Sequence, residues 1–319
     1  MVRASSANMN MCGSRLGPYR IVSLLGKGGI GTVYLAKNEK TSSLEALKIL
    51  LPEFTESPEM HERFEREIEN CAILKHPNIV KLNDYGKSQD ISYFAMEYCN
   101  GGSLKDLLRR EEGVLAPANA CRIIMQVLDG LEYAHNVEIP HMKLPNGSWG
   151  RGNGLIHRDI KPENVLLQEE DPETRPLQGS GAEARRGKVH VAKISDFGLA
   201  KSYRSAGLSG NTQTGSVGGS LSFISRQQLL NYKYSKPEVD VWSAAAVLYF
   251  MLTGKTPRKI EGEKNPFNAV LKNNTIPVRE VNPSVPEDLA TVIDRALNDS
   301  SSLFYRKASE LKKDIINIL

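Results

Sequence analysis

The stretch His157-Arg158-Asp159-Ile160-Lys161-Pro162-Glu163-Asn164 sets an acid, a cation and an amide at spacings suited to handling a phosphoryl group. Asp159 can accept a proton from an attacking hydroxyl, and Lys161 can neutralise charge on a transferred phosphate. Asn164 offers an amide oxygen to a hard cation such as Mg²⁺. Pro162 forbids a regular helix, and Val165-Leu166-Leu167 predicts a short strand. The groups are therefore expected on a rigid loop beside a buried strand. Alone, such a cluster is more often a charged surface turn, so its surroundings decide.

Those surroundings supply the positioning elements. Tyr19 to Leu25 predicts a strand that runs into Gly26-Lys27-Gly28-Gly29-Ile30-Gly31-Thr32-Val33. Glycines at 26, 28 and 31 let backbone N–H groups approach phosphate oxygens. Strand-like residues follow, not a helix, which argues against a dinucleotide site. Lys48 lies in an apolar strand, where an unpaired ammonium is costly. Residues 59–75 predict a helix with a stripe of Phe64, Ile68, Cys71 and Ala72, and Glu67 beside that stripe is the candidate partner for Lys48. Strands are expected over 79–85 and 91–96, and helices over 103–110 and 117–136. A further strand, Val189 to Ser195, ends in Asp196-Phe197-Gly198.

In this order and spacing, the motifs resemble the eukaryotic-like Ser/Thr protein kinases of bacterial type, over about residues 17–319. The resemblance implies an α+β bilobal fold. A small antiparallel lobe with one key helix (17–97) would follow an unstructured tail (1–16), with a larger, mainly helical lobe (98–319) after it. It implies ATP and Mg²⁺ (or Mn²⁺) between the lobes. Asp159 would orient and deprotonate a Ser or Thr hydroxyl of a protein substrate, and Lys161 would steady the phosphate. Asn164 and Asp196 would hold the metal, and Lys48, paired with Glu67, would hold the α- and β-phosphates. Backbone at Gly26, Gly28 and Gly31 would cover the phosphates. Leu25, Val33, Ala46 and Leu166 would sandwich the adenine, and main-chain groups of Glu97 and Cys99 would meet its edge, with Met96 as gatekeeper. Each of those apolar residues could equally be plain core. Thr212 and Thr214 resemble autophosphorylated threonines of an activation loop, with Arg158 as counter-charge. Asp240 would cap the helix it opens and tie the catalytic loop to the core.

The chain also departs from the pattern. Val137 to Gly154 and about 168–188 are insertions, the first expected as a surface loop from its Pro, Gly and Asn content. Trp149 there makes a partner contact conceivable. Gly219-Ser220-Leu221-Ser222-Phe223-Ile224-Ser225-Arg226-Gln227 puts Gln227 where the family has a glutamate, and the arginine that normally pairs with it aligns with Phe304. Both charges are expected to be lost together, with Arg306 as an alternative shifted partner.

Composition excludes other classes. A net charge of +4 on 319 residues gives no case for nucleic acid. The most apolar run, Val241 to Leu252, is too short to span a bilayer. Four scattered cysteines, with no signal sequence, point to a reducing cytosol. The chain stops at Leu319, where a kinase domain is expected to stop, without the spanning segment many bacterial relatives carry. The chain could form a homodimer or contact a partner through the 137–154 insertion. Two alternatives stay open: a nucleotide-binding pseudokinase scaffold, which partner binding through that insertion would support, and a small-molecule kinase with a related core.

Overall fold

The computed structural model describes residues 11–28, 31–51, 58–143, 148–169, 190–197, 221–260, 265–300 and 302–319. Gly198, Thr212, Thr214, Ser220 and nearly all of the 168–188 insertion lie outside them, as does the side chain of Phe64.

The first six strands form one antiparallel sheet in the order β1-β2-β3-β4-β6-β5: β1 Arg15–Leu16, β2 Tyr19–Gly28, β3 Gly31–Asn38, β4 Leu44–Leu50, β5 Leu82–Ser88 and β6 Ile91–Glu97. Alternation sets its faces. Leu16, Tyr19, Ile21, Tyr34, Leu47 and Tyr93 pack together on one side. Leu50 and Phe94 pack on the other against Ile68 of helix α1 (Pro58–Ala72). Gly31 is required by this sheet, because a Cβ there would stand 2.1 Å from the Ile49 carbonyl oxygen. The unstructured tail expected over 1–16 needs correction where it is described. Ile21 N–H donates to the Ser14 carbonyl at 2.9 Å, and Leu16 is fully buried. A two-residue strand is too short to show in a periodic pattern.

Beyond Glu97 the chain crosses into a mainly helical lobe. Its first helices are α2 (Leu104–Arg110), opened by a Ser103–Asp106 capping box, and α3 (Pro117–Asn136). Then come α4 (Arg226–Leu230), α5 (Glu238–Thr253), α6 (Pro266–Lys272), α7 (Val278–Val281), α8 (Glu287–Leu297) and α9 (Ala308–Asn317). The apolar run Val241 to Leu252 is a core helix buried on every side, ended by Gly254 in the left-handed conformation at φ 67°. Among the described residues no helix is long and apolar enough to cross a membrane.

The 137–154 insertion is not the irregular loop its composition suggests. Glu138–Lys143 (β7) and Trp149–Asn153 (β8) pair as an antiparallel hairpin. Pro140 is accommodated because the register shifts between Ile139 and Met142, and among the described residues β7 pairs only with β8. Ile139 is buried at the base, and Gly154 returns the chain by donating to the Val137 carbonyl.

Candidate active site

Two short strands bring the chemistry together. Val165–Glu169 (β9) pairs antiparallel with His190–Ile194 (β10), with Val165 opposite Ile194. Asn164, just before one strand, and Asp196, just after the other, therefore emerge at the same end. Ser195 N–H donates to the Asn164 carbonyl at 2.9 Å and fixes that end.

The catalytic loop is held from below by Asp240, which is fully buried. Its carboxylate accepts from the N–H of His157 at 2.8 Å, the N–H of Arg158 at 2.7 Å and His135 Nε2 at 2.8 Å. Burial pushes this carboxyl up, but the His135 hydrogen bond, the nearby histidines and the Arg158 N–H outweigh it. The net result lies below the ordinary carboxylate range. Asp240 does tie the loop to the core, but it does not cap its helix. That helix starts at Glu238, and no side chain caps it.

His157 acts as a spacer within the site. Its Nδ1 accepts from Asp159 N–H at 3.1 Å, so Nε2 carries the proton donated to the Ser195 carbonyl at 2.8 Å. Its ring meets Phe197 edge-on at 4.7 Å. Arg158 and Asp196 adopt positive φ values of 68° and 61°, the kind of local strain that clusters at functional sites.

Above this frame the polar groups converge. Lys161 Nζ donates to Asp159 Oδ2 at 2.7 Å, and Asn164 Nδ2 donates to Asp159 O at 2.7 Å and Oδ2 at 2.9 Å. Those bonds use the Asn164 amide nitrogen, leaving its oxygen as the atom available to a cation. Lys48, nearly sealed from solvent, donates to Asp196 Oδ1 at 2.6 Å. Burial raises the Asp196 carboxyl, but Lys48 outweighs it, with His157 and Lys161 assisting, and the group ends below its usual range. Here the expected geometry differs. Among the described residues the carboxylate paired with Lys48 is that of Asp196, not Glu67. Glu67 lies on α1 one residue before buried Ile68. The Cys71 Sγ, on the same helix, donates to the Phe197 carbonyl at 3.0 Å and joins α1 to the segment after Asp196. Burial, then the Glu67 and Asp196 carboxylates, push that thiol well above its normal range.

The expected adenine contacts line the edge between the lobes. Leu25 is 44 % exposed, and Val33 and Leu166 are half-buried, so these three are not sealed in the core. Ala46 is buried opposite Met96. Among the described residues no acceptor takes the Cys99 N–H, although Cys99 is buried. Burial, then the Glu97 carboxylate, push its thiol up to about 12. A Cβ at Gly26 would meet nothing within 4 Å, so the fold itself does not demand that glycine. An open glycine strand, a Cys99 N–H with no acceptor among the described residues, and the side-chain oxygens of Asn164 and Asp196 fit a nucleotide with its hard cation.

The expected loss of both charges at 227 and 304 is half right. Gln227 Nε2 donates to the Asp299 carbonyl at 2.9 Å, Phe304 is exposed, and Arg306 pairs with Glu238 at 2.9 Å. The charge has moved, not vanished. Asp299 accepts from the Arg226 N–H at 2.8 Å and guanidinium at 3.2 Å, and pairs with Arg258. Arg258 also donates to the Ile224 carbonyl at 3.0 Å and stacks on Trp242. Gln228, fully buried, donates to the Arg158 carbonyl at 2.7 Å. None of Asp299, Arg258, Gln228 or His135 stood out in the sequence. Only Arg226, beside Gln227, offered a signal.

The protein kinase domain family matches residues 19–146 and 151–312. A Clostridium perfringens protein named "Probable serine/threonine-protein kinase CPE1738" is 32 % identical over 97 % of this chain and 39 % of its own length. The serine/threonine-protein kinase PrkC of Bacillus subtilis is 30 % identical over 96 % of the chain and 41 % of its length. The chain thus spans about two fifths of these relatives. The crystal structure of the Mycobacterium tuberculosis PknI kinase domain superposes with a TM-score of 0.63 at 22 % identity, covering 97 % of this chain and 99 % of that one. A sheet lobe and a helical lobe with Lys48, Asp159, Asn164 and Asp196 converging where they meet, matched along nearly the whole chain, place this chain in the protein kinase domain family.

Proposed function

We propose that this chain transfers the γ-phosphoryl group of ATP to serine or threonine hydroxyls of proteins. The observation that carries the reading is the convergence of Asp159, Lys161 and Asn164 with Asp196 and Lys48 at one end of the β9–β10 pair. In this reading Asp159 orients the acceptor hydroxyl and takes its proton. Lys161, already 2.7 Å from Asp159, neutralises charge building on the transferred group. Asn164 and Asp196 would hold Mg²⁺ (or Mn²⁺), which when bound offsets charge on the phosphates. Lys48 exchanges Asp196 for the α- and β-phosphates, with Glu67 as its new partner. Leu25, Val33, Ala46 and Leu166 enclose the base, and main-chain groups of Glu97 and Cys99 meet its edge. Backbone at Gly26, Gly28 and Gly31 covers the phosphates. Rate comes mainly from positioning and charge neutralisation.

Control by phosphorylation of Thr212 or Thr214 belongs to the same proposal. It is supported by Arg158, whose buried Nε has no hydrogen-bond partner among the described residues and whose guanidinium sits 5.9 Å from the Tyr232 ring centre. None of the four cysteines is in a disulfide, which favours a reducing compartment, the cytosol.

Intact mass after incubation with Mg-ATP, beside an Asp159→Asn control, tests the reading. Phosphates added to the wild type alone, within 199–222, support a self-phosphorylating kinase. No added mass on unphosphorylated protein that binds ATP would point instead to a nucleotide-binding scaffold.

A further inference from the structure

We infer that the hairpin Glu138–Asn153 is a built-in positioning device for helix α1, setting through that helix how the chain holds ATP. The inference rests on the kinase reading above. The hairpin is anchored to the large lobe at its base. Leu155 N–H donates to the Ala134 carbonyl at 2.8 Å and Gly154 N–H to that of Val137 at 2.9 Å, with Ile139 buried between. Its body crosses to the small lobe and grips α1 in three ways. The Asn70 side chain donates to the His141 carbonyl at 2.8 Å and accepts from the His141 N–H at 3.0 Å, copying one rung of a β-ladder. The His141 ring is hydrogen-bonded to Glu69. The Arg66 guanidinium lies over the Trp149 ring at 4.6 Å.

Residues 66, 69 and 70 are related by three and four positions, so they form one face of the helix. Ile68 and Cys71 lie toward the sheet and Phe197 on another. The helix is thereby held from two sides, and the rotation and height of Glu67 follow from both. Asn70 is a buried polar residue whose amide, among the described residues, is satisfied by the His141 backbone. A helix does not keep such a group buried without its partner, because the unpaired amide is costly. Arg66, Asn70, His141 and Trp149 are thus positioning residues. They act on nucleotide affinity through α1 and Glu67, without contact with ATP.

The test uses the full chain with Asn70→Ala, Trp149→Ala and Trp149→Phe, the last keeping a ring face for Arg66. The KM for ATP, the KM for an acceptor peptide and kcat are measured, together with the Kd of a non-hydrolysable ATP analogue by calorimetry. The Kd does not require turnover, so it separates failure of this inference from failure of the kinase reading. Asn70→Ala and Trp149→Ala are expected to raise the KM and Kd for nucleotide about fivefold, the effect of losing a pair of ordinary hydrogen bonds or a cation–π contact on an equilibrium constant. The peptide KM stays in place, and Trp149→Phe restores the nucleotide values. If Asn70→Ala does not fold, the exposed Trp149 pair carries the test. Nucleotide KM and Kd unchanged in the folded variants, with only the melting temperature lowered, would overturn the inference and leave the hairpin a structural addition.

Discussion

Arg258 and Asp299, 41 residues apart in sequence, form an ion pair that is almost completely buried beneath the stretch Ile224 to Gln227. Arg226 reaches the same carboxylate and also donates to the carbonyls of Val270, Leu271 and Asn273. Where kinases resembling this one set a glutamate in the segment against an arginine near the end of the domain, this chain has the arginines at 226 and 258 and the carboxylate at 299. The polarity of the anchor is reversed. Burial works to lower the Arg258 guanidinium, and the Asp299 carboxylate resists it.

Asp299→Ala leaves two guanidinium groups without their carboxylate. The expected loss is about 3–5 kcal/mol, the range for breaking one side of a buried pair. Denaturant unfolding measures it. Arg258→Met combined with Asp299→Leu should recover much of that loss, since removing both charges together avoids an unpaired one.

Asp240 predicts an acid limb to stability. Its folded carboxyl lies below its ordinary value, so its contribution is fully present above the unfolded value of about 4 and is lost as pH falls through the lower, folded value. The stability difference between wild type and Asp240→Asn should therefore shrink as pH falls below about 4. Equilibrium unfolding at stepped pH checks this. A difference that grew below pH 4 would contradict the assignment.

Gly26 and Gly31 separate ligand from fold. Gly31→Ala drives a Cβ into the Ile49 carbonyl and should cost about 1–3 kcal/mol of stability. Gly26→Ala meets open space and should leave the melting temperature nearly unchanged while weakening ATP binding. Thermal unfolding beside calorimetric titration with ATP reads both effects.

Lys48→Met removes the charge now held by Asp196, which the proposed function assigns to the phosphates. Turnover is expected to fall by about two orders of magnitude, with the protein still folded. Peptide phosphorylation at saturating ATP, beside circular dichroism, measures it.

The reacting groups were legible because Asp159, Lys161 and Asn164 lie within six consecutive residues, where chain geometry alone holds them together. Asp196 was legible because a paired strand precedes it. The partner of Lys48 was not, because the side chain it meets depends on where α1 sits, and packing against Phe197 and the hairpin decides that. Asp299 was missed for a related reason. A buried charge needs only some opposite charge within reach, not one at a fixed position, and a loop 72 residues beyond Gln227 supplies it. The hairpin was hidden by Pro140, Gly150 and Gly152, breakers whose effect the register shift and close strand pairing absorb.

The last paired rung of β9 and β10, Glu169 opposite His190, has a consequence for how this chain can change. That rung stands at the far end of the ladder from Asn164 and Asp196. The free-energy cost of closing a segment between two such positions rises by only about 0.6 kcal/mol per doubling of its length. The chain therefore has a port, between Glu169 and His190, at which a tag, a reporter or a foreign recognition segment can be spliced in while the phosphate-handling groups keep their spacing.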